Sequence, residues 1–457
     1  MRKNKNKIIL FVIFLIALFL VMIKFNIKQN IDSIMLKVKI DMYGDPISED
    51  ETINNCFFKI DSSGNLETKE GINEAIEYAN KNNIKYIKLE KGTYLIDGQS
   101  HMNANESDEK KGIILKSNIT IDLNGSRVIQ KANSKVNSAV FTITEVENVC
   151  IKNGLVIGDR ERHDYSVNST HEWGFGIDIR GSKNITVENM EISQCTGDGI
   201  FITNCQKKSS ENILILGNNI SSCRRQGISI IDGNQITIED NEIYNINGTN
   251  PQSGIDLESW DSNQTINNVY IRKNKIYNNK SNYNIIVMGM SKNVYIQNNE
   301  LYGKLSCDNI KEKIIVERNI IKNGTASFLV NNEGLVQGKI INKVIFRENK
   351  LENSNLYMLN VENALVEENC IKNNKILIFN SNLGIANNKI VNEGSNISIG
   401  MKYSLYNMIN AERKYKIYMY NNKFEGNYNT NIVVDTSKNI IVHNDEIEFE
   451  KYKSEYE

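Results

Sequence analysis

From about residue 113 the chain repeats one pattern, a short apolar–polar alternation followed by Asn and a further apolar residue. It appears as NILILGNNI, QITIEDNEI, NVYIRKNKI, NVYIQNNEL, KIIVERNII, KVIFRENKL, LGIANNKI and KIYMYNNKF. Aligned together with LVEENCI, which carries Asn369, these phrases place Asn218, Asn241, Asn274, Asn299, Asn319, Asn349, Asn369, Asn388 and Asn422 in one column, separated by 19 to 34 residues. Alternation of period two predicts strands, and self-similarity at this spacing predicts a solenoid. The periodicity excludes a helical repeat, and the missing Leu spacing excludes a leucine-rich one. The expectation is an all-β parallel β-helix, each coil stacking its strands on those before. Asn in a column suits a tight turn, because it tolerates left-handed backbone and its amides can bond from coil to coil. Upstream, Ile72, Ala75, Ile76 and Ala79 recur at i, i+3, i+4 and i+7, which predicts an amphipathic helix covering the open end of the core. KYIKLEKGTYLIDG then reads as the first strand.

A second phrase opens four consecutive coils: FGIDIRG, DGIFITN, QGISIID and SGIDLES, with glycines at 176, 199, 227 and 254. If the Ile after each glycine points inward, the second and fourth residues after it point outward. One strip of surface then gathers Asp178, Arg180, Asp198, Arg225, Asp256 and Glu258, with Arg224 and Gln226 at a strand entrance. Later coils offer YNIIVMG and YMLNVEN instead. The segment GDRERHDYSVNSTHEWG leads onto the first of these coils and concentrates rare side chains: two of the four His and one of the two Trp. Loops on a rigid scaffold beside a charged strip are where sites are built, so His163, His171, Glu172 and Trp173 are expected to wall a cleft.

The helix followed by LEKGTY resembles the N-terminal segment of the pectate-lyase superfamily of right-handed β-helix proteins, which includes polygalacturonase-like glycoside hydrolases. Lys91 stands where that segment often has Pro. The resemblance implies a right-handed coil and a carbohydrate substrate. DGIFI, QGISI and SGIDL look like the segments that carry the family's catalytic acids, but this chain has a single Asp198 followed by Arg225-Gln226 where the family pairs adjacent acidic residues with a His. Only Asp198 is carried over by position.

The first residues change the picture of organisation. Arg2, Lys3, Lys5 and Lys7 precede an unbroken apolar run from Ile8 to Ile23, with no small-residue cleavage site after it. This predicts an uncleaved single-pass anchor with the basic tip in the cytoplasm and the rest outside; secretion after cleavage is the alternative. The expected division is an anchor over 1–30, a linker and the start of the cap over 31–70, the N-terminal cap over 71–112 and the β-helix over 113–457. A net charge of -1 from 54 basic and 55 acidic residues offers no footprint for nucleic acid. Seven Cys make no complete disulfide framework. Cys195 and Cys223 occupy matching places on adjacent coils and could be bridged or simply stacked.

Two chemistries suit the strip. Glycoside hydrolysis needs two carboxyl groups, here Asp198 with Asp256 or Glu258. A uronate lyase or epimerase needs a base and a neutralising cation, here His163 or Tyr165 with Arg180 or Arg225, and the lyase reading brings in Ca²⁺ as its cofactor. Arg160, Glu172, Trp173 and Trp260 are further candidates for contact with sugar. The expected partner is a polysaccharide and the expected state a monomer. A non-catalytic glycan-binding or adhesive solenoid is the alternative function.

Overall fold

A computed structural model describes residues 58–456 apart from 100–110, 260–262, 290, 311, 331–342, 393–398, 403–413, 427–431 and 435–439. The chain winds as a parallel β-helix whose complete coils carry three strands, for example Asp198–Thr203, Glu211–Leu216 and Asn219–Ser221. The first strand of each coil joins a 13-stranded sheet, and the other two join ladders of a 26-stranded sheet. Register is set by stacked Ile side chains. Ile177, Ile200, Ile228, Ile255 and Ile285 lie directly above one another, all with zero exposure. A one-residue slip would turn every one of them outward.

The glycines that open the site coils are there for space. A Cβ on Gly227 would lie 2.5 Å from the Gly254 carbonyl oxygen and 2.5 Å from Ile243 Cγ2, and Gly176, Gly199 and Gly254 are equally crowded. Gly227→Ala is therefore expected to cost about 1–3 kcal/mol by overpacking, read as a lowered denaturation midpoint. An unchanged midpoint would mean that the coils can separate at this corner.

The Asn column forms a buried ladder. Each amide donates to the side-chain oxygen of the Asn one coil on, from Asn218 to Asn241 at 2.9 Å through to Asn388 to Asn422 at 2.9 Å. Each also donates to a strand carbonyl of the preceding coil, as Asn299 does to Ile271 at 2.8 Å. The column Asn are not themselves left-handed, contrary to expectation: the left-handed residue is the one before each, namely Gly217, Asp240, Lys273, Asn298, Arg318, Glu348, Glu368, Asn387 and Asn421. Left-handed Asn residues instead form a second, exposed ladder, Asn118–Asn148–Asn184–Asn212, at another corner.

At the N-terminal end, helix Lys69–Lys81 buries Ile72, Ala75, Ile76 and Ala79 as the spacing predicts. A strand, Ser63–Glu67, precedes it and pairs with Thr93–Ile96, so the coils begin earlier than expected. KYIKLEKGTYLIDG divides into two strands, Tyr86–Lys88 and Thr93–Ile96, on different ladders. The coils also stop before the chain does. Helix Glu446–Tyr456 folds back on the sheet exterior, where Phe449 and Tyr452 pack on Leu365 and Ala386 and Lys453 meets Glu367 at 2.7 Å. The Ile8–Ile23 run lies outside the described residues, among which no helix is long and apolar enough to cross a membrane.

Candidate active site on the coils of residues 158–258

The insertion before strand Trp173–Arg180 is clamped by its own rare side chains. Asp159 Oδ2 accepts from the Asn133 backbone at 3.1 Å and its amide at 2.9 Å, and lies 2.8 Å from His163 Nδ1. His163 Nε2 lies 2.9 Å from His171 Nδ1, and His171 Nε2 donates to the Val167 carbonyl at 2.7 Å. Arg160 donates to the Ser222 carbonyl at 2.7 Å and to Asn247 at 2.5 Å. Arg224 donates to the Thr170 carbonyl at 2.7 Å and covers the Tyr165 ring. The structure thus places His163 and His171 beneath the surface rather than on a cleft wall, with both ring nitrogens of each engaged. Tyr165 is partly exposed, but its hydroxyl donates to the Arg160 carbonyl at 2.9 Å, and burial raises its pKa. Glu172 and Trp173, at the end of the insertion, remain half-buried beside the strip.

The outward positions line up as alternation requires: Thr142, Asp178, Phe201, Ser229 and Asp256 are in register on successive coils. Around them the structure brings together Asp198, Arg225, Gln226, Ser229 and Asp256. Arg225 Nη1 contacts Asp198 Oδ2 at 3.1 Å and Gln226 Oε1 at 2.8 Å, and its Nε lies 3.5 Å from Glu172. Ser229 donates to Asp198 Oδ2 at 2.8 Å, and Gln226 donates to Asp256 Oδ2. Ser229, which the sequence marked only as an outward position, is the hinge of this network, because it meets both Asp198 and Gln226. Oδ1 of Asp198 and Oδ1 of Asp256 are buried with no hydrogen-bond partner among the described residues.

Burial sets the electrostatics. It pushes Asp198 up to about 6, although Arg225 and the Ser229 hydroxyl pull the other way. It pushes Asp256 well above the usual carboxylate range, aided by Glu258. Burial works against the Arg225 charge, but Asp198, Asp256, Glu172 and Glu258 outweigh it and raise its pKa.

Beside this network Arg180 pairs with Asp178 at 2.8 Å and lies 5.3 Å from the Phe201 ring centroid. Phe201 stacks on Phe175 at 4.4 Å, and Trp173 meets both edge-on at 6.3 Å. Trp260 lies outside the described residues. Cys195 and Cys223 are free thiols, each in contact with the carbonyl two residues before it. Among the described residues no three His, Cys, Asp or Glu side chains gather as a metal site. The strip is less bland beyond residue 258 than the sequence suggests, since burial also lifts Asp308 to about 6.

This architecture defines a class. The chain belongs to the family described as the right handed beta helix region, whose model matches residues 121–301 and 206–355, together more than half of the chain. Among curated proteins it is similar to the SPbeta prophage-derived uncharacterized protein YorA of Bacillus subtilis (strain 168), 35% identical over 217 residues, 44% of this chain and 37% of that protein. It is also similar to the uncharacterized protein YclG of the same organism, 32% identical over 262 residues, 52% of this chain and 45% of that one. The chain therefore spans less than half the length of these relatives. Among solved structures, a mutant tailspike protein of E. coli bacteriophage HK620 in complex with a pentasaccharide superposes with a TM-score of 0.52 at 13% identity, over 89% of this chain and 77% of that one. The A-module of mannuronan C-5 epimerase AlgE6 from Azotobacter vinelandii superposes with a TM-score of 0.50 at 13% identity, over 84% and 97%. Such identities show a shared fold.

Proposed function

We propose that the coils of residues 158–258 form a polysaccharide-active site that cleaves glycosidic bonds by general acid–base catalysis. The observation that carries this is the pair of buried carboxyl groups, Asp198 and Asp256, each with one oxygen left over and joined through Ser229 and Gln226. A carboxyl with a pKa near 6 holds its proton in mildly acidic solution and can give it to a leaving oxygen. Asp198 is assigned that role. Glu258, half-buried on the outward side of its strand, is the carboxylate placed to take a proton from water. Arg225 holds Asp198 in position. A lyase or epimerase has less support, because both ring nitrogens of His163 are engaged and the pKa of Tyr165 is raised. The carbohydrate ligand and substrate in the names of the two structural neighbours agree with a glycan partner. The apolar run Ile8–Ile23 supports attachment to a membrane with the coils outside.

A pH profile tests the acid. Turnover is expected to fall as pH rises through about 6, where Asp198 loses its proton. Stability has the same sign. The folded pKa of Asp198 lies above its ordinary 3.8, so the folded state holds the proton more tightly, and its contribution is lost as pH rises from about 4 to about 6. The melting temperature of the wild type minus that of Asp198→Asn should therefore decrease across that window; a difference independent of pH would refute the assignment.

One observation favours a second reading, a glycan-binding solenoid without turnover. Asp198 and Asp256 are almost wholly enclosed, at 0% and 2% exposure, as a structural network would be. Binding without release of reducing ends distinguishes it from catalysis.

A further inference from the structure

We propose that the glycan handled by this strip is built of uncharged sugars and is not a polymer of uronates. This rests on the functional reading above and narrows it. Recognition of a uronate needs a cation whose donors are open to a carboxylate, best a guanidinium offering two parallel hydrogen bonds. Every arginine between residues 158 and 258 has partners within the chain, and Arg225 Nε, which is buried without a hydrogen bond, already lies 3.5 Å from Glu172. Arg225 is in contact with Asp198 at 3.1 Å and Glu172 at 3.5 Å, and the more distant Asp256 and Glu258 add to the negative field around it. Arg180 is held by Asp178 and lies against Phe201. Arg160 and Arg162 are spent on carbonyl oxygens, Arg160 also on Asn247. Arg224 binds the Thr170 and His171 carbonyls and covers Tyr165.

A uronate carboxylate would arrive as a third acid against Arg225. Glu172, 3.5 Å from Arg225 Nε, would have to be displaced before a uronate could pair with that guanidinium. The exposed Lys207 and Lys208 follow Thr203 on the corner beyond strand Asp198–Thr203, roughly 16 Å along the strand from Asp198 at ~3.3 Å per residue. They are too far away to neutralise a sugar held at the carboxyl pair.

What the strip does offer fits sugar hydroxyls. Glu172 and Glu258 are half-buried acceptors, and hydroxyl groups are donors that carry no charge to repel. Trp173, half-buried on the Phe175–Phe201 stack, adds an apolar surface of the kind that the C–H face of a pyranose covers.

The full chain would be presented with a neutral β-glucan, a neutral α-glucan and a chitooligosaccharide, and in parallel with polygalacturonate and alginate. Binding would be followed by titration at low salt and cleavage by release of reducing ends. Binding and any cleavage should be confined to the neutral probes, with the uronates at least tenfold weaker. Glu172→Gln, which removes one acid from Arg225 at a half-exposed position, should raise polygalacturonate affinity about tenfold, the size of one charge-assisted hydrogen bond. Wild-type binding or cleavage of a uronate polymer as good as that of any neutral probe overturns the inference and leaves the catalytic reading standing. Binding of neutral probes without cleavage does the reverse. Binding of none contradicts both.

Discussion

Asp198→Asn is expected to lower turnover by about 10²–10⁴ while leaving the fold intact, because it removes the proton donor and little else. An Asn oxygen can still accept from Ser229 and Arg225, and Arg225 keeps its contacts with Gln226 and Glu172. At pH 5 the wild-type side chain is mostly protonated, so the two proteins then differ by little more than an amide for an acid. Comparing their melting temperatures at that pH separates a lost proton donor from a lost fold. Full activity of the variant on a substrate that the wild type degrades would place the acid elsewhere.

The largest expected loss of stability is at Asn299→Val, about 3–5 kcal/mol. Asn299 donates to the Ile271 carbonyl at 2.8 Å and to Asn319 at 2.9 Å, and it accepts from the backbone and amide of Asn274 at 2.9 and 3.0 Å. Valine fills part of the space but leaves two buried donors of Asn274 short of an acceptor, at ~1–3 kcal/mol each. The cost comes from the amide rungs. The backbone of Asn299 is not left-handed, so a β-branched side chain brings no conformational strain there. A shift in the denaturant midpoint of less than about 1 kcal/mol equivalent would show that the ladder closes around a gap.

These two sites also mark where the sequence was legible. Period-two alternation and the Asn column disclosed the coil, since a buried amide stack leaves the same residue type once per turn. The strip could be read for the same reason: alternation fixes which side of a strand a residue faces, and Asp178, Ser229 and Asp256 face where alternation puts them. Depth could not be read. His163 and His171 looked like surface chemistry because the insertion is polar, yet their partners, Asp159, each other and the Val167 carbonyl, are set by how the insertion folds on itself, with Asp159 held in turn by Asn133 of the preceding coil. Arg225 looked like a cation available to an acidic sugar, and only its three-dimensional neighbours show Asp198 and Glu172 already against it. The C-terminal helix was hidden because Phe449 and Tyr452 meet Leu365 and Ala386, which lie far earlier in the chain on the outside of a coil. Ser229 was missed because a lone Ser at an outward position carries no chemical signal until Asp198 and Gln226 are seen on either side of it.

The most direct measurement is reducing-end release from neutral glycans by the full chain, wild type beside Asp198→Asn, at pH 5 and pH 8. Release by the wild type that is greater at pH 5 and falls at least a hundredfold in the variant is the expected result. Release that is unaffected by the substitution, or no release from any glycan at either pH, would contradict an acid–base site built on Asp198.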